Sequence, residues 1–511
     1  MPDKQDKIEK QTKVGILWNT MSRVVGTFGQ FIGGIFIARL LGPEEIGAFA
    51  MGMMVIGFAT KFGEFGFHMG LVQRKDEVTA KHINSLFVMD LVFKIALWII
   101  VWFSSPYIAQ FFDEPRLLDA MPVIALYMVL ECFSMTPLTL LRREMDFKSY
   151  SIIITAERLL VIPLAIVFAL FGFQFWSLVY SKLIGVIISA IMAIHKTRWV
   201  PALRFDSQAG KELFSFGSMV FLRNLFRYGA DNVDYFFIGR YLGTAQFGFY
   251  ERAFQIMKLP QRRITRSINS VVFSTFSRIQ DDPKRIRRAF RKLVLAISLV
   301  SYPLMAGLAF LAPIMVPVLY GEEWRPTVFP LQAMCIAGIL RSIDPFLNSV
   351  LTATGYVRTT VYRRAFEFVV VGAAAYYGVQ YGIDGVAIAI SVAALLVMVV
   401  MVQMVTSASE ITWGDYLFSQ LPGLITSAGM VAIMYLVQLG LGHWIDPMGA
   451  VMLIILTIVG GGAYLGLHFM FRFKRVTELV RELSGDTKGG LGKLRKKWNK
   501  LRKAIPAFRT T

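Results

Sequence analysis

The chain contains little charge and few cysteines. Of its 511 residues, 17% are Asp, Glu, Lys or Arg, whereas 55% are apolar. A soluble protein of this length needs far more polar surface, so this composition excludes a soluble fold. The two cysteines, Cys132 and Cys335, both lie within apolar runs, which favours core positions over a disulfide or a metal-binding pair.

The sequence also lacks the motifs of several enzyme and cofactor classes. It contains no GxxxxGKS or GxxxxGKT phosphate-binding loop, no HExxH zinc motif and no Cys/His cluster with metal-ligand spacing. We therefore predict no cofactor, no enzymatic activity and no direct use of ATP by this chain. A cleavable signal peptide is not expected, because the polar N-terminus leads into a full-length apolar run.

Apolar runs long enough to cross a bilayer as helices recur along the chain, without the alternation typical of a membrane barrel. We predict an all-α membrane protein of about 14 transmembrane helices, arranged as two pseudo-symmetric six-helix lobes and a C-terminal helix pair. The predicted parts are a cytoplasmic N-terminus (1–13), an N-lobe of spans one to six (14–195), a C-lobe of spans seven to twelve (213–406), spans thirteen and fourteen (415–471), and a basic amphipathic cytoplasmic tail (472–511).

Lys and Arg are concentrated in alternate loops. With a cytoplasmic N-terminus, the cytoplasmic segments contain 37 of them, whereas the opposite loops contain only Arg116 and Arg325. This asymmetry predicts that both termini are cytoplasmic, and it explains most of the +20 net charge without nucleic-acid binding. In the tail, Leu491, Trp498 and Ile505 share one helical face, which favours a helix on the anionic inner leaflet over a solvated tail.

The sequence contains an internal repeat. FIARLLGPEEIG at 36–47 aligns without gaps with FIGRYLGTAQFG at 237–248, an offset of 201 residues. A weaker pair has an offset of 210 residues and matches Lys148, Glu157 and Gly172 to Arg358, Glu367 and Gly382. Both pairs relate spans one to six to spans seven to twelve. An even number of spans separates the copies, so the two halves are predicted to insert in the same orientation, as in a class of transporters.

Charged residues within the predicted spans lie mainly on one face of each of the first two helices of each half. Charge in a membrane span usually faces a cavity or a partner. We predict a basic central cavity that binds an anionic, phosphate-containing substrate. Its candidate residues are Arg23, Lys61, Arg223, Arg227, Lys258, Arg262 and Arg266. Lys61 is equivalent to Arg262 through the 201-residue offset.

Four acidic residues within the spans are candidates for ion coupling: Glu157, Glu367, Asp231 and Asp234. Structural roles are the alternatives. Glu157 could pair with Arg158, and Glu367 lies close to Arg363 and Arg364 in sequence. Asp231 and Asp234 could form ion pairs with Arg223 and Arg227, and the basic end of span eight could instead reach the headgroups. His68 is predicted to be structural.

Several segments in order resemble the polysaccharide transporter family, the Wzx-type oligosaccharide-lipid flippases of the multidrug/oligosaccharidyl-lipid/polysaccharide exporter superfamily. They are FIARLLGPEEIGAFA, GFHMGLVQRKD at 66–76, LLRREMDFKSYS at 140–151, DYFFIGRYLGTAQFGFYERA at 234–253 and GEEWRPTVFPLQ at 321–332. The resemblance implies a bacterial inner-membrane protein that moves polyprenyl-diphosphate-linked repeat units outward by alternating access. It also implies a polysaccharide polymerase and glycosyltransferases as pathway partners.

Three alternatives remain open from the sequence. A multidrug extruder of the same superfamily would favour an acidic, aromatic cavity, and the predicted cavity is basic. A membrane polymerase or ligase would need catalytic residues on a sizeable external loop, and the predicted external loops are short. A scaffold or lipid-binding subunit would differ only in having no transport activity.

Overall fold

The computed structural model describes a helical chain. It describes the backbone of residues 2–63, 68, 71–72, 78–278, 282–353 and 357–471. Within these ranges it describes the side chains except those of residues 2–17, 19–20, 23, 62–63, 213–227, 261–275, 277–278, 353, 357–361 and 469. The predicted basic tail, 472–511, lies outside the described residues. The side chains of five predicted cavity residues are also outside the described set: Arg23, Arg223, Arg227, Arg262 and Arg266.

Thirteen α-helices account for nearly all of the described chain. They are α1 (Pro2–Gly63), α2 (Ala80–Phe112), α3 (Arg116–Arg143), α4 (Phe147–Leu170), α5 (Phe175–Thr197), α6 (Ser207–Arg278), α7 (Pro283–Tyr320), α8 (Val328–Arg341), α9 (Asp344–Ala353), α10 (Val357–Gly378), α11 (Gly382–Ala408), α12 (Trp413–Leu441) and α13 (Ala450–Phe471). Short 3₁₀ turns at Glu322–Thr327 and Val379–Tyr381 join α7 to α8 and α10 to α11.

Two of these helices are each broken at a glycine. In α1 the break is at Gly42 (φ 72°, ψ 174°), and in α6 it is at Gly243 (φ 80°, ψ 179°). This backbone conformation is essentially restricted to glycine, because a Cβ would clash there. The two glycines are equivalent in the 201-residue repeat, so the sequence repeat is also a repeat of backbone geometry. Gly172 and Gly382, from the weaker repeat, likewise share positive φ angles of 84° and 73°.

Ten helical segments of the described chain are long and apolar enough to cross a membrane. The chain is therefore a multi-pass α-helical membrane protein. The predicted span ten, 328–354, is interrupted: α8 ends at Arg341 and α9 begins at Asp344. Pro345 explains the break, because a proline is favourable in the first turn of a helix and lacks the N–H that a helix interior requires.

The chain separates into two compact units. The first comprises residues 1–257, 312–337 and 358–397; within it, α2 packs on α3, α4 packs on α5, and α1 packs on α4. The second comprises residues 258–311, 338–357 and 398–511. Its core is an apolar cluster that includes Phe290, Phe346 and Val402, contributed by α7, α9 and α11.

Candidate functional site

The two copies of the strong repeat contact each other reciprocally. A Cβ added to Gly47 would overlap the carbonyl oxygen of Thr244, and a Cβ added to Gly248 would overlap that of Pro43. Gly47 and Gly248 are equivalent in the repeat, as are Pro43 and Thr244. The contact therefore has local twofold pseudo-symmetry, and glycine at both positions permits the backbones to touch.

Two equivalent arginines of the repeat, Arg39 and Arg240, each donate hydrogen bonds to the C-terminal end of another helix. Arg39 Nε donates a hydrogen bond to Leu319 O at 2.7 Å, and the same guanidinium donates to Val318 O. Arg240 Nη1 donates to Phe111 O at 2.6 Å. The acceptors are C-terminal carbonyls of α7 and α2, which lack partners within their helices and carry the negative end of the helix dipole.

We refer to Arg39, Pro43, Gly47, Arg240, Thr244 and Gly248 as the clasp. Neighbouring contacts reinforce it. The Arg116 guanidinium lies 3.0 Å from carboxylate oxygens of both Glu44 and Glu45, and 2.7 Å from Glu114. Trp324 Nε1 donates to Ala38 O at 3.2 Å.

The Arg252 guanidinium lies 5.4 Å from the ring centroids of both Tyr320 and Trp324, a cation–π arrangement beside the clasp.

Glu114, in the loop between α2 and α3, is held as a carboxylate. Burial raises the pKa of Glu114, but hydrogen bonds from Arg116 and Thr244 together with the Arg116 charge outweigh burial, so the pKa lies below its ordinary value. Thr244 belongs to the second copy of the repeat, and thus the charged loop and the clasp are one connected structure.

A second polar region lies inside the first unit, between α2 and α3. Lys94 Nζ is 3.2 Å from Asp90 Oδ2 and 3.3 Å from Glu131 Oε2. His68 Nε2 is 3.3 Å from Asp90 Oδ2, and His68 Nδ1 is 2.9 Å from Thr139 Oγ1. The side chains of Asp90 and Lys94 are each only 3% exposed. We refer to His68, Asp90, Lys94 and Glu131 as the charge cluster.

The acidic candidates have definite partners. Glu157 Oε1 lies 3.5 Å from Lys182 Nζ on α5, and Lys182 also lies over the Tyr127 ring, 4.6 Å from its centroid. Glu367 Oε2 lies 2.7 Å from Arg364 and 3.5 Å from Arg363. These pairs agree with the structural alternative for both acids, although the Glu157 partner is Lys182 on another helix.

The remaining described candidates lie on α1 and α6. Lys61 is half-buried in the last turn of α1, and Lys258 is half-buried in α6. Asp231 is exposed, whereas Asp234 is buried and accepts a 2.7 Å hydrogen bond from Tyr250. With five of the seven basic side chains outside the described set, the basic cavity stays a prediction.

Sequence reasoning missed most of the charge cluster. Asp90 and Lys94 are four residues apart in the apolar run of α2, and Glu131 lies within the apolar run of α3. A spacing of four residues places two side chains on the same helix face. The sequence therefore contained enough information to predict the Asp90–Lys94 ion pair within the membrane span. The sequence shows Arg39 and Arg240 as equivalent residues of the repeat. Their hydrogen-bond acceptors could not be predicted, because those carbonyl groups are distant in sequence.

Comparison with known proteins assigns the family. The profile of the family described as "Polysaccharide biosynthesis protein" matches residues 36–329, which is more than half of the chain. The chain belongs to this family. The chain is similar to the teichuronic acid biosynthesis protein TuaB of Bacillus subtilis, with 25% identity over 73% of this chain and 78% of TuaB. It is 27% identical to the succinoglycan biosynthesis transport protein ExoT of Rhizobium meliloti, over 65% of this chain and 67% of ExoT.

The fold also matches a solved structure. The lipid II flippase MurJ in its inward closed conformation superposes with a TM-score of 0.72 and 18% identity, covering 90% of this chain and 99% of MurJ. At this identity the match concerns the fold alone. The chain therefore has the same helical fold as MurJ.

Proposed function

We propose that this chain is a flippase that translocates polyprenyl-diphosphate-linked oligosaccharide repeat units across the cytoplasmic membrane for exopolysaccharide or lipopolysaccharide biosynthesis. The observation that carries the proposal is the clasp: a pseudo-symmetric contact between two copies of a repeat, in a polysaccharide biosynthesis protein with a flippase-like fold. Two repeats that meet symmetrically and can rock against each other are the parts of an alternating-access transporter.

Two six-helix lobes and about 14 spans fit the helix lengths. The apolar segment Val24–Lys61 has 38 residues, roughly 57 Å of helix at 1.5 Å per residue, against roughly 30 Å of hydrocarbon. With its break at Gly42 it provides two crossings. Tyr362–Ala408, with 47 residues and a turn near Gly382, provides two more. The charged helix α6, broken at Gly243, provides spans seven and eight.

In our proposal the clasp lies on the external side, because Lys and Arg are concentrated in the opposite loops. In this arrangement the clasp is the external gate, and the substrate enters from the cytoplasm while the gate is closed. The hydrogen bonds from Arg39 and Arg240 to the ends of α7 and α2 are called the arginine caps below. One pseudo-twofold axis relates the two caps and the two glycine contacts, so all of them must break together when the gate opens.

The substrate diphosphate must leave the headgroup region, so it needs positive charge inside the membrane. In our proposal Lys61 and Arg262, equivalent through the repeat, hold it between the lobes, with Arg23, Arg223, Arg227, Lys258 and Arg266 along the same faces. Arginine is suited to this role because its guanidinium can donate two parallel hydrogen bonds to a phosphate.

The chain works in a bacterial inner membrane in this proposal. Its substrate comes from membrane glycosyltransferases, and its product goes to a polymerase. Transport is driven by an ion gradient or the membrane potential.

The test is complementation of a bacterial strain that lacks its own flippase. Surface polysaccharide and the amount of membrane-inserted protein are measured in the same cells. Arg262→Ala and the Lys61→Ala, Arg262→Ala double variant should abolish export at normal protein level, whereas Arg262→Lys should retain part of it. Arg288→Ala, which changes an exposed arginine near the start of α7, is the matched control and should export normally. Normal export by the double variant at normal abundance would refute the basic-cavity mechanism.

A further inference from the structure

The charge cluster contains a hydrogen-bond arrangement that depends on protonation. The Thr139 hydroxyl has one hydrogen, and it donates to Met135 O at 2.7 Å. Thr139 Oγ1 is then the acceptor for His68 Nδ1 at 2.9 Å, which requires a hydrogen on Nδ1. On the other side of the ring, Nε2 faces a carboxylate oxygen of Asp90 at 3.3 Å. All three contacts are satisfied together only when both ring nitrogens carry a hydrogen.

The charge count of the cluster leads to the same protonation state. Asp90 and Glu131 contribute two negative charges, and Lys94 contributes one positive charge to both of them. A protonated His68 makes the four groups neutral, whereas a neutral His68 leaves one uncompensated negative charge. A net charge inside a membrane domain is costly, so the neutral combination is favoured.

The geometry of the cluster selects a proton rather than a metal ion. The Lys94 ammonium lies between the two carboxylates, in the position that a cation bridging them would occupy. Among the described residues, no group of three His, Cys, Asp or Glu side chains is arranged to hold a metal ion. The His68 side chain is 19% exposed and is thus less buried than the Asp90 carboxylate that it faces, which is 3% exposed.

Among the residues that the structure describes, the other titratable and charged groups near the cluster come from α3, α4 and α5. The Cys132 thiol on α3 lies close enough to interact with Lys94 and Asp90. Arg143, also on α3, donates to Leu71 O at 2.6 Å, three residues beyond His68. The Glu157–Lys182 pair of α4 and α5 is neutral as a unit. None of these contacts supplies the positive charge that the cluster lacks when His68 is neutral.

From these observations we infer that His68, with Asp90, Lys94 and Glu131, forms a binding site for one proton, and that exchange of this proton is coupled to transport. The coupling part rests on the proposed function. When the proton leaves, one ring nitrogen of His68 becomes an acceptor: either Nε2 then faces the Asp90 carboxylate, or Nδ1 faces Thr139 Oγ1, with no hydrogen between the two acceptors. One of the two contacts that hold His68 against α2 and α3 is then lost. Span two carries both His68 and Lys61, so proton release acts on the helix that is proposed to hold the diphosphate.

Histidine NMR tests proton binding directly. The chain has five histidines, and the full-length protein labelled at its histidine rings would be titrated in lipid nanodiscs between about pH 8 and about pH 5. His68→Gln identifies the His68 signals, because glutamine retains a donor but cannot take up a proton. His82→Gln is the matched control, since His82 also lies near a carboxylate, 3.7 Å from Glu212.

The expected result is an imidazolium at His68 at neutral pH. In Asp90→Asn the imidazolium signal of His68 at neutral pH should be weakened, because the carboxylate that accepts from Nε2 is gone. In the His82→Gln control the His68 titration should be unchanged. A His68 ring that stays neutral, with its single hydrogen on Nε2 down to about pH 6, would overturn the inference.

Export measurements then test the coupling. His68→Gln should lower surface polysaccharide at least about ten-fold at normal protein level, as expected when one obligatory proton-transfer step is removed, whereas His82→Gln should export normally. Normal export by His68→Gln would overturn the coupling, even if the ring binds a proton. If the unmodified chain complements no flippase-deficient strain, the proposed function fails, and the NMR result still decides whether the proton site exists.

Discussion

The clasp and the charge cluster differ in how they relate to the internal repeat. The clasp is built by both copies, with the same residue pairs contacting in both directions. The charge cluster belongs to the first copy only: α2 ends at Phe112 and α7 ends at Tyr320, 208 residues later, so Asp90 and Lys94 correspond to Ser298 and Tyr302. Ser298 donates to Leu295 O, and Tyr302 donates to Gln420.

The difference shows which features a duplicated membrane fold keeps in both halves. The glycine contacts and the arginine caps depend on backbone geometry. If the two halves move symmetrically, each half must supply the same backbone geometry. An ionisable cluster costs stability wherever it is buried, so one copy is enough if a single proton is exchanged. The two halves thus share the clasp contacts and the ion-paired glutamates Glu157 and Glu367, but not the charge cluster.

The largest expected effect comes from removing the central cation of the charge cluster. Lys94→Met leaves Asp90 and Glu131 without their shared partner, and the free energy of unfolding should fall by about 3–5 kcal/mol. The measurement is denaturant unfolding of the protein in detergent. Tyr302→Phe, at the equivalent position of the second copy, removes one hydrogen bond and should cost about 1 kcal/mol. Equal losses at the two positions would contradict the asymmetry.

A smaller effect is expected from crowding the clasp. Gly47→Val and Gly248→Val each push a side chain into a backbone carbonyl of the other copy, and each should destabilise the protein by about 1–3 kcal/mol. The effects should be similar, because the contacts are reciprocal. Gly461→Val is the control, since no atom lies within 4 Å of a Cβ added there. A tolerated valine at one of the two clasp glycines and not at the other would break the pseudo-symmetry.

The arginine caps should contribute less. Arg39→Ala and Arg240→Ala each leave C-terminal helix carbonyls without a charged donor, and each should lower stability by about 1 kcal/mol. Thermal unfolding of the single variants and of the double variant would measure this. We expect the double variant to lose more than the sum of the singles if both caps close one gate. Strict additivity would show that the two caps act independently.

The smallest effect concerns pH at the loop between α2 and α3. Because the pKa of Glu114 is lowered in the folded protein, its stabilising contribution is present above the ordinary value of 4.5 and is lost as the pH falls through the lower folded pKa. Stability between about pH 6 and about pH 3 should therefore fall less steeply in Glu114→Gln than in the unmodified protein. Parallel profiles would show that Arg116 does not hold this carboxylate.

Much of the fold was predictable, because apolar length and helical periodicity are properties of sequence alone. The repeat is visible in the sequence as an ungapped residue match, and the structure adds that its equivalent glycines, Gly42 and Gly243, have the same backbone conformation. The ion-pair partner of Glu157 was not predictable. Arg158, the next residue in sequence, points to a different helix face, and the contact with Lys182 depends on how α4 and α5 pack. His68 is a lone histidine in its segment, so the sequence predicts a structural role for it. Its partners, Asp90 on α2 and Thr139 on α3, are distant in sequence.

The reciprocal form of the clasp also bears on how the chain arose. Residue i of one copy touches residue j of the other, and residue j of the first touches residue i of the second, which is the pattern of an interface in a twofold homodimer. A half-length chain carrying one copy could form this contact with another molecule of itself. The present chain thus holds within one polypeptide an interface of the kind that a duplicated and fused homodimer would retain.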